Sequence, residues 1–253
     1  MSAPDFWAAL RGSTRARIGL GRAGDALPTE RVLEFRAAHS VARDAVHAAL
    51  DTDAVTADLA ARGLGEAAVV TSRARDRAEY LRRPDLGRLP GSELPGSGDE
   101  NGSYDVGFVL ADGLSAFAVA EHGPATLEAL AKRLPPALTV APPVVATQAR
   151  VALGDHIGAA LGVTTLVLLI GERPGLSTAD SLGIYLTHHP RPGRTDAERN
   201  CLSNIHPPDG LGYDRAAQIT AALIEGARAL GRSGVDLKDD SLPLDAADRA
   251  ELG

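Results

Sequence analysis

The sequence predicts an α/β fold: a Rossmann-like, doubly wound, mostly parallel sheet preceded by a mostly helical N-terminal region. Three observations carry that prediction. From residue 104 on, short apolar runs of strand character alternate with amphipathic stretches of helical period. One run, "VTTLVLLIGERPG" (163–175), is apolar at almost every position, as suits a strand with helices on both faces. Before residue 65 the apolar residues recur instead at three- and four-residue steps. The expected organisation is a helical arm at 1–65, an α/β domain at 66–230 and a polar tail at 231–253.

The elements follow in chain order. Phe6, Trp7 and Leu10 stand at helical spacing. The stretch "IGLGRAG" (18–24) then spells G-x-G-x-x-G with Gly19, Gly21 and Gly24, the spacing of a dinucleotide-binding turn. Such a turn must leave a buried strand and enter a helix at once, so that backbone N–H groups meet a pyrophosphate. No strand-like run precedes this one, and "DALP" separates it from the next helix. These glycines therefore read as backbone punctuation and argue against a nucleotide-dependent oxidoreductase. Residues 29–62 are expected to be helical, with Thr29 as the N-cap and Val32, Phe35, Ala38, Ala42, Ala45 and Ala49 on the buried side.

"AAVVTS" (67–72) is a short strand, and the arginine-rich 72–88 is a charged helix or a partner-binding surface. "LPGSELPGSGDENGS" (89–103) has the composition of a flexible surface loop. "YDVGFVLADGLSA" (104–116) is a buried strand ending in Asp112–Gly113, with Ser115 placed to cap a helix over 115–133. Strands are expected at 137–145, 163–175, 181–189 and 200–205. Helices are expected at 148–161 and 213–230.

Composition bounds the function. The chain has 253 residues, enough for a sizeable core, and its 44% hydrophobic and 23% charged residues are the balance of a globular protein. A net charge of −7 argues against a general nucleic-acid binder. Cys201 is the only cysteine, which rules out an intramolecular disulfide and fits a reducing compartment. The run "LVLLI" is far too short to span a membrane, and the N-terminus lacks the apolar core of a signal peptide, so the expected location is cytoplasmic. No P-loop and no G-x-S-x-G elbow is present. Cys201, His188, His189 and His206 match no zinc spacing, and adjacent histidines on a strand point to opposite faces. Neither a metal site nor a catalytic residue is expected in this chain; Cys201 reads as a small polarizable wall residue.

Ligands of open α/β sheets gather outside the carboxyl ends of the strands. That rule selects "ADGLS" (111–115), "GERPGLS" (171–177) and the region of "CLSNIH" (201–206). In the second, Gly171 and Gly175 allow a sharp turn and Pro174 stiffens it. Glu172 then stands on a rigid loop, placed to accept hydrogen bonds from ligand amides or hydroxyls.

Five stretches occur together: "ARIGLGRAGDALPT" (16–29), "DRAEYLRRPDLGR" (76–88), "ADGLSA" (111–116), "LLIGERPGLSTADSLGIYLT" (168–187) and "RTDAERNCLSNIHPPDGLGY" (194–213). In this order and at these intervals the sequence resembles the small (light) subunit family of ethanolamine ammonia-lyase, from about residue 16 to 230. The resemblance implies an adenosylcobalamin-dependent enzyme that converts ethanolamine to acetaldehyde and ammonia by a radical mechanism. It implies a hetero-oligomer in which a large subunit holds the substrate, with the cobalamin between the two subunits. By motif, the light-chain cobalamin contacts carry over to Val151, Glu172 and Cys201. Val151 and Cys201 would give apolar contact and Glu172 would accept hydrogen bonds.

The resemblance implies further that "IGLGRAG" and the arginine-rich stretch face the large subunit. No D-x-H-x-x-G is present, which agrees with a family whose cofactor keeps its own base on cobalt. Departures are the glycine-rich, acidic 89–103, Leu202 in place of the usual isoleucine, and a short stretch before the signature. Light chains that enter a bacterial microcompartment carry a longer one, so the cytoplasm is the expected location and the microcompartment the alternative. The competing reading is an assembly or scaffold protein of the same fold without tight cofactor binding.

Overall fold

A computed structural model describes residues 6–96, 103–239 and 241. Among them the order is α1 (Ala8–Gly12), α2 (Thr29–His47), α3 (Thr52–Ala61), β1 (Ala68–Thr71), α4 (Arg77–Arg82), β2 (Tyr104–Ala111), α5 (Ala116–Ala131), β3 (Val144–Thr147), α6 (Leu153–Leu161), β4 (Val163–Gly171), β5 (Leu182–His188), β6 (Asn200–Ile205) and α7 (Tyr213–Leu230). The strands form one sheet in the order β1-β3-β2-β4-β5-β6.

The sheet is mixed: its larger part is parallel as expected, but its last two strands run antiparallel, which corrects the expectation of a doubly wound sheet throughout. β1, β3, β2 and β4 are mutually parallel, while β5 runs antiparallel to β4 and β6 antiparallel to β5. The reason lies in the connections. α5 and α6 carry the chain over the sheet between β2, β3 and β4, as parallel neighbours require. Residues 172–181 and 189–199 hold no α-helix, only the 3-10 turn Asp196–Glu198, and a parallel crossover needs roughly a dozen residues or more. β5 and β6 therefore fold straight back.

Strand alternation divides the core in two. Val106, Phe108 and Leu110 of β2, with Val167 and Leu169 of β4, pack against α3, α5 and α7 on one face. Val109 and Ala111, with Leu166, Leu168 and Ile170, pack against Leu153, Ile157 and Leu161 of α6 on the other. The first cluster also takes Val55 and Leu59 of α3 and Leu237 beyond α7, so it reaches past residues 66–230 in both directions.

Other boundaries moved for local reasons. The helix expected over 29–62 breaks at Ala48, whose backbone is extended, and restarts at α3, where the Asp51 carboxylate accepts from Ala54 N–H at 3.0 Å. α2 begins at Thr29 itself, after Pro28 and without a side-chain cap. Of its expected buried side only Ala45 is fully buried, and Phe35 is exposed. The strand expected at 137–145 forms only from Val144, after the prolines. In the expected loop at 89–103, Gly91 N–H donates to Thr71 O and Thr71 N–H to the Ser92 hydroxyl, which covers the edge of β1. Residues 97–102 lie outside the described ones, as does most of the expected tail. Gly19, Gly21 and Gly24 all have positive φ in an irregular segment with no strand before it.

The loops after β2 and β4 lock together. Leu114 N–H donates to Gly171 O at 2.9 Å, and a Cβ on Gly171 would lie 2.0 Å from Ser115 O. Beside them the buried Asp112 carboxylate accepts from Gln148 N–H at 2.8 Å and Ala149 N–H at 2.9 Å and pairs with Arg77 at 3.3 Å. Burial pushes this carboxyl up; the two N–H groups and Arg77 pull against that. Replacing Asp112 by Ala leaves two backbone N–H groups without their acceptor and the Arg77 guanidinium without its counter-charge, held only by Val46 O and Gly113 O. The expected cost is about 3–5 kcal/mol in a denaturant unfolding curve.

On β5, the buried His188 shares a 2.8 Å hydrogen bond with Thr165, and burial with the nearby cationic groups lowers its pKa to about 4. The unfolded chain takes up this proton near pH 6.5, the folded chain only near 4. The unfolded state therefore binds more protons between those values. Stability is complete above pH 6.5 and falls as pH drops through the window. His188→Gln is expected to show a smaller loss of Tm between about pH 7 and pH 4.5 than the parent chain.

Candidate functional site

Val151, Glu172 and Cys201 come from three separate elements, and all three belong to the α6 side of the sheet. Val151 lies in the turn before α6, not in the helix as expected, and packs against the α6-side cluster. The helix starts later because the backbone at 148–150 is engaged elsewhere. Gln148 has φ of 53° and, with Ala149, donates its N–H to Asp112. The Tyr80 hydroxyl donates to Ala149 O at 2.9 Å, and Arg150 N–H donates to Gly87 O at 2.9 Å. The Arg150 guanidinium lies 4.5 Å from the centre of the buried Tyr80 ring. Val151 is thus presented by a turn that is tied at every residue before it.

Glu172 follows the last residue of β4. Its N–H donates to Ser181 O at 2.9 Å. Its carboxylate accepts from the Ser181 hydroxyl at 2.6 Å, from Asn204 N–H at 3.2 Å and from the Ser203 hydroxyl. It therefore joins the ends of β4, β5 and β6. Oε2 takes Ser181 and Asn204 while Oε1 takes Ser203, so one acceptor direction remains on Oε1. Gly183 makes room for it: a Cβ there would lie 2.9 Å from Oε1.

Cys201 is opposite Tyr185 in the β5–β6 register. It is exposed, yet partial desolvation and the nearby Glu172 carboxylate push its thiol up, against the pull of a hydrogen bond with Tyr185. Tyr185, also on the α6 side, is pushed up to about 12 by burial and by Cys201. At neutral pH both present neutral, polarizable groups.

Tyr185 and Ser203 extend the site beyond the sequence reading. Alternation along β5 gives the signal for the first. Leu182, Ile184 and Leu186 point into the α3/α5/α7-side core, which leaves Gly183 and Tyr185 for the opposite face. That face is open over β5 and β6. α6 packs on β2 and β4, whereas α7 packs on both β5 and β6 from the other side. The result is a floor of Tyr185, Cys201 and Ser203 with the Glu172 carboxylate bonded at its end and Val151 packed on the same cluster as Tyr185.

His188, His189 and His206 do not join it. His188 is buried against Thr165; His189, at φ of 49°, leaves strand geometry and sets its ring 4.3 Å from that of His188, so the two do not point to opposite faces as expected; and His206 bonds the Asn204 side chain at 2.8 Å. Among the described residues no group of three or more His, Cys, Asp or Glu stands close enough to hold a metal ion. The "IGLGRAG" region reaches the Glu172 loop from outside. Arg15 donates to Ser177 O and Arg17 to Leu176 O, and Arg15 pairs with Asp209 at 2.5 Å.

Fold and face define an α/β protein in which, among the described residues, α7 packs on one face of β5 and β6 while Tyr185, Cys201 and Ser203 lie on the other. Over residues 4–238 the chain matches the family "Ethanolamine ammonia-lyase light chain (EutC)". It is 60% identical over 237 residues to an ethanolamine ammonia-lyase small subunit from Rhodococcus erythropolis, covering 94% of this chain and 91% of the relative. It is 53% identical to one from Rhodopseudomonas palustris (95% and 92%) and 47% identical to one from Ralstonia nicotianae (96% and 92%). The chain belongs to the ethanolamine ammonia-lyase light chain family, whose members are subunits of a carbon–nitrogen lyase. Among the described residues no helix is long and apolar enough to cross a membrane.

Proposed function

We propose that this chain is the small subunit of an adenosylcobalamin-dependent ethanolamine ammonia-lyase and forms part of the cobalamin pocket against a large subunit. One observation supports the reading: Glu172 and Cys201 stand on the α6 side of β5 and β6, and Val151 packs on the same cluster as Tyr185, the neighbour of Cys201. The surface suits the group. Tyr185, Cys201 and Val151 offer apolar contact to a large flat macrocycle, and Glu172 keeps an unused acceptor for an amide N–H at its edge. Bound there, adenosylcobalamin would supply radical chemistry to ethanolamine on the large subunit, while Val151, Glu172, Tyr185 and Cys201 would hold and orient it. This chain's residues bind and orient; none moves a proton or breaks a bond.

In this reading the parallel strands and their crossovers form the Rossmann-like part of the cobalamin-binding domain at 66–230. The arm at 1–65 precedes it and the tail at 231–253 follows. The exposed Arg82 and Arg83, together with "IGLGRAG", face the large subunit, and the complex works in the cytoplasm.

The test is acetaldehyde release from ethanolamine by this chain, its large subunit and adenosylcobalamin together, with each component omitted in turn. Activity that needs all three is expected. Glu172→Gln, which removes the carboxylate charge, is expected to weaken adenosylcobalamin binding about tenfold, the worth of one hydrogen bond to a charged group. A well-assembled complex that retains no adenosylcobalamin would favour the scaffold reading instead.

A further inference from the structure

We propose that Arg199 and Asp155 are positioning residues that fix α6 against β5 and β6, and so set the spacing between Val151 and Cys201. The proposal rests on the cobalamin-pocket reading above.

The two residues form a buried, two-pronged ion pair. Arg199 Nη1 donates to Asp155 Oδ1 at 2.7 Å and Nη2 to Oδ2 at 2.6 Å, with the two side chains 2% and 1% exposed. Nη1 also donates to the Thr187 hydroxyl on β5 at 2.8 Å, and Nη2 to Arg194 O at 3.0 Å. One guanidinium thus gathers α6, β5 and the strand entering β6. Asp155 lies one helical turn after Val151, and Arg199 lies two residues before Cys201. The two contacts assigned to the cofactor are therefore tied through this pair and not through each other.

Nothing else described between α6 and the antiparallel half has comparable direction. α6 meets β4 through apolar packing, with Gly154 close against Leu166 and Leu168, and meets the turn after β5 where Gly158 approaches Pro190. Such packing is non-directional and tolerates small slides. A forked guanidinium–carboxylate pair fixes distance and angle together. Stability alone gives little reason for the pair, because well-packed apolar residues of similar volume commonly replace a buried ion pair without loss. What the pair adds is a fixed relation between two elements that flank an open face.

The test uses the full complex with the large subunit. Arg199→Met with Asp155→Leu removes the pair and keeps apolar volume. Two readouts are taken: adenosylcobalamin affinity by equilibrium dialysis, and, without cofactor, the alkylation rate of Cys201 followed by mass spectrometry of this chain. The double variant is expected to assemble with a Tm near that of the parent. It should bind adenosylcobalamin at least tenfold more weakly, lose far less turnover at saturating cofactor, and alkylate Cys201 several-fold faster. Parent-like affinity with parent-like alkylation overturns the proposal. If the parent complex itself binds no adenosylcobalamin, the pocket reading fails, while the alkylation rate still decides on the clamp. Should the double variant not assemble, Arg199→Lys, which keeps the charge and loses the fork, is read in the same two assays. Unchanged values there overturn the proposal as well.

Discussion

The buried carboxylate of Asp112 is the contact on which the rest of the site depends. It follows β2 and takes both N–H groups at the turn after β3, while its partner Arg77 reaches back to Val46 O in the last turn of α2. One side chain therefore joins the parallel strands to the helical arm. Because residues 148 and 149 are committed to it, α6 cannot begin before Leu153, and Val151 is left on a tied turn facing the sheet. The Gly113 and Gly171 backbones close against each other beside it, which fixes where β4 ends and where Glu172 starts.

The second determinant is the reversal of the chain after β4. Had helices followed β4 and β5, they would have covered the α6 side of the antiparallel half. Short connections cannot carry a parallel crossover, so β5 and β6 return directly and their outer face stays bare. α7, the one α-helix that follows among the described residues, packs on the opposite face. The open surface is thus a consequence of connection length, and the residues at its margin come from the ends of β4, β5 and β6. Glu172 holds those ends together while keeping one lone-pair direction unspent.

Much of this was legible in the residues. β4 and α7 announce themselves by unbroken apolar character and by helical period, and Ser115 caps α5 as its position suggested, accepting from Ala118 N–H. The antiparallel return was hidden because strand character carries no direction. Only the absence of a helical stretch at 172–181 and 189–199 encodes it. The break at 48–51 was masked by alanine, whose high helix propensity runs straight through a site where Asp51 starts a new cap. Of the candidate site, Glu172 was legible from its glycine-framed loop, while alternation along β5 offers the signal for Tyr185. Val151 and Cys201 were legible only through family resemblance, since no local pattern distinguishes them from wall residues. Asp155, an acid on the buried side of a helix whose only other polar side chain is His156, signals a buried partner, but sequence alone does not say that the partner is Arg199.

The central claim is that one particular sheet face receives the cofactor. Hydrogen exchange of the assembled complex, with and without adenosylcobalamin, tests it directly. New protection concentrated in the turn at 148–152, the loop at 171–175 and β6 is the result this account predicts. Protection confined to the glycine-rich segment at 18–24 or to α2, with those three stretches unchanged, would contradict it.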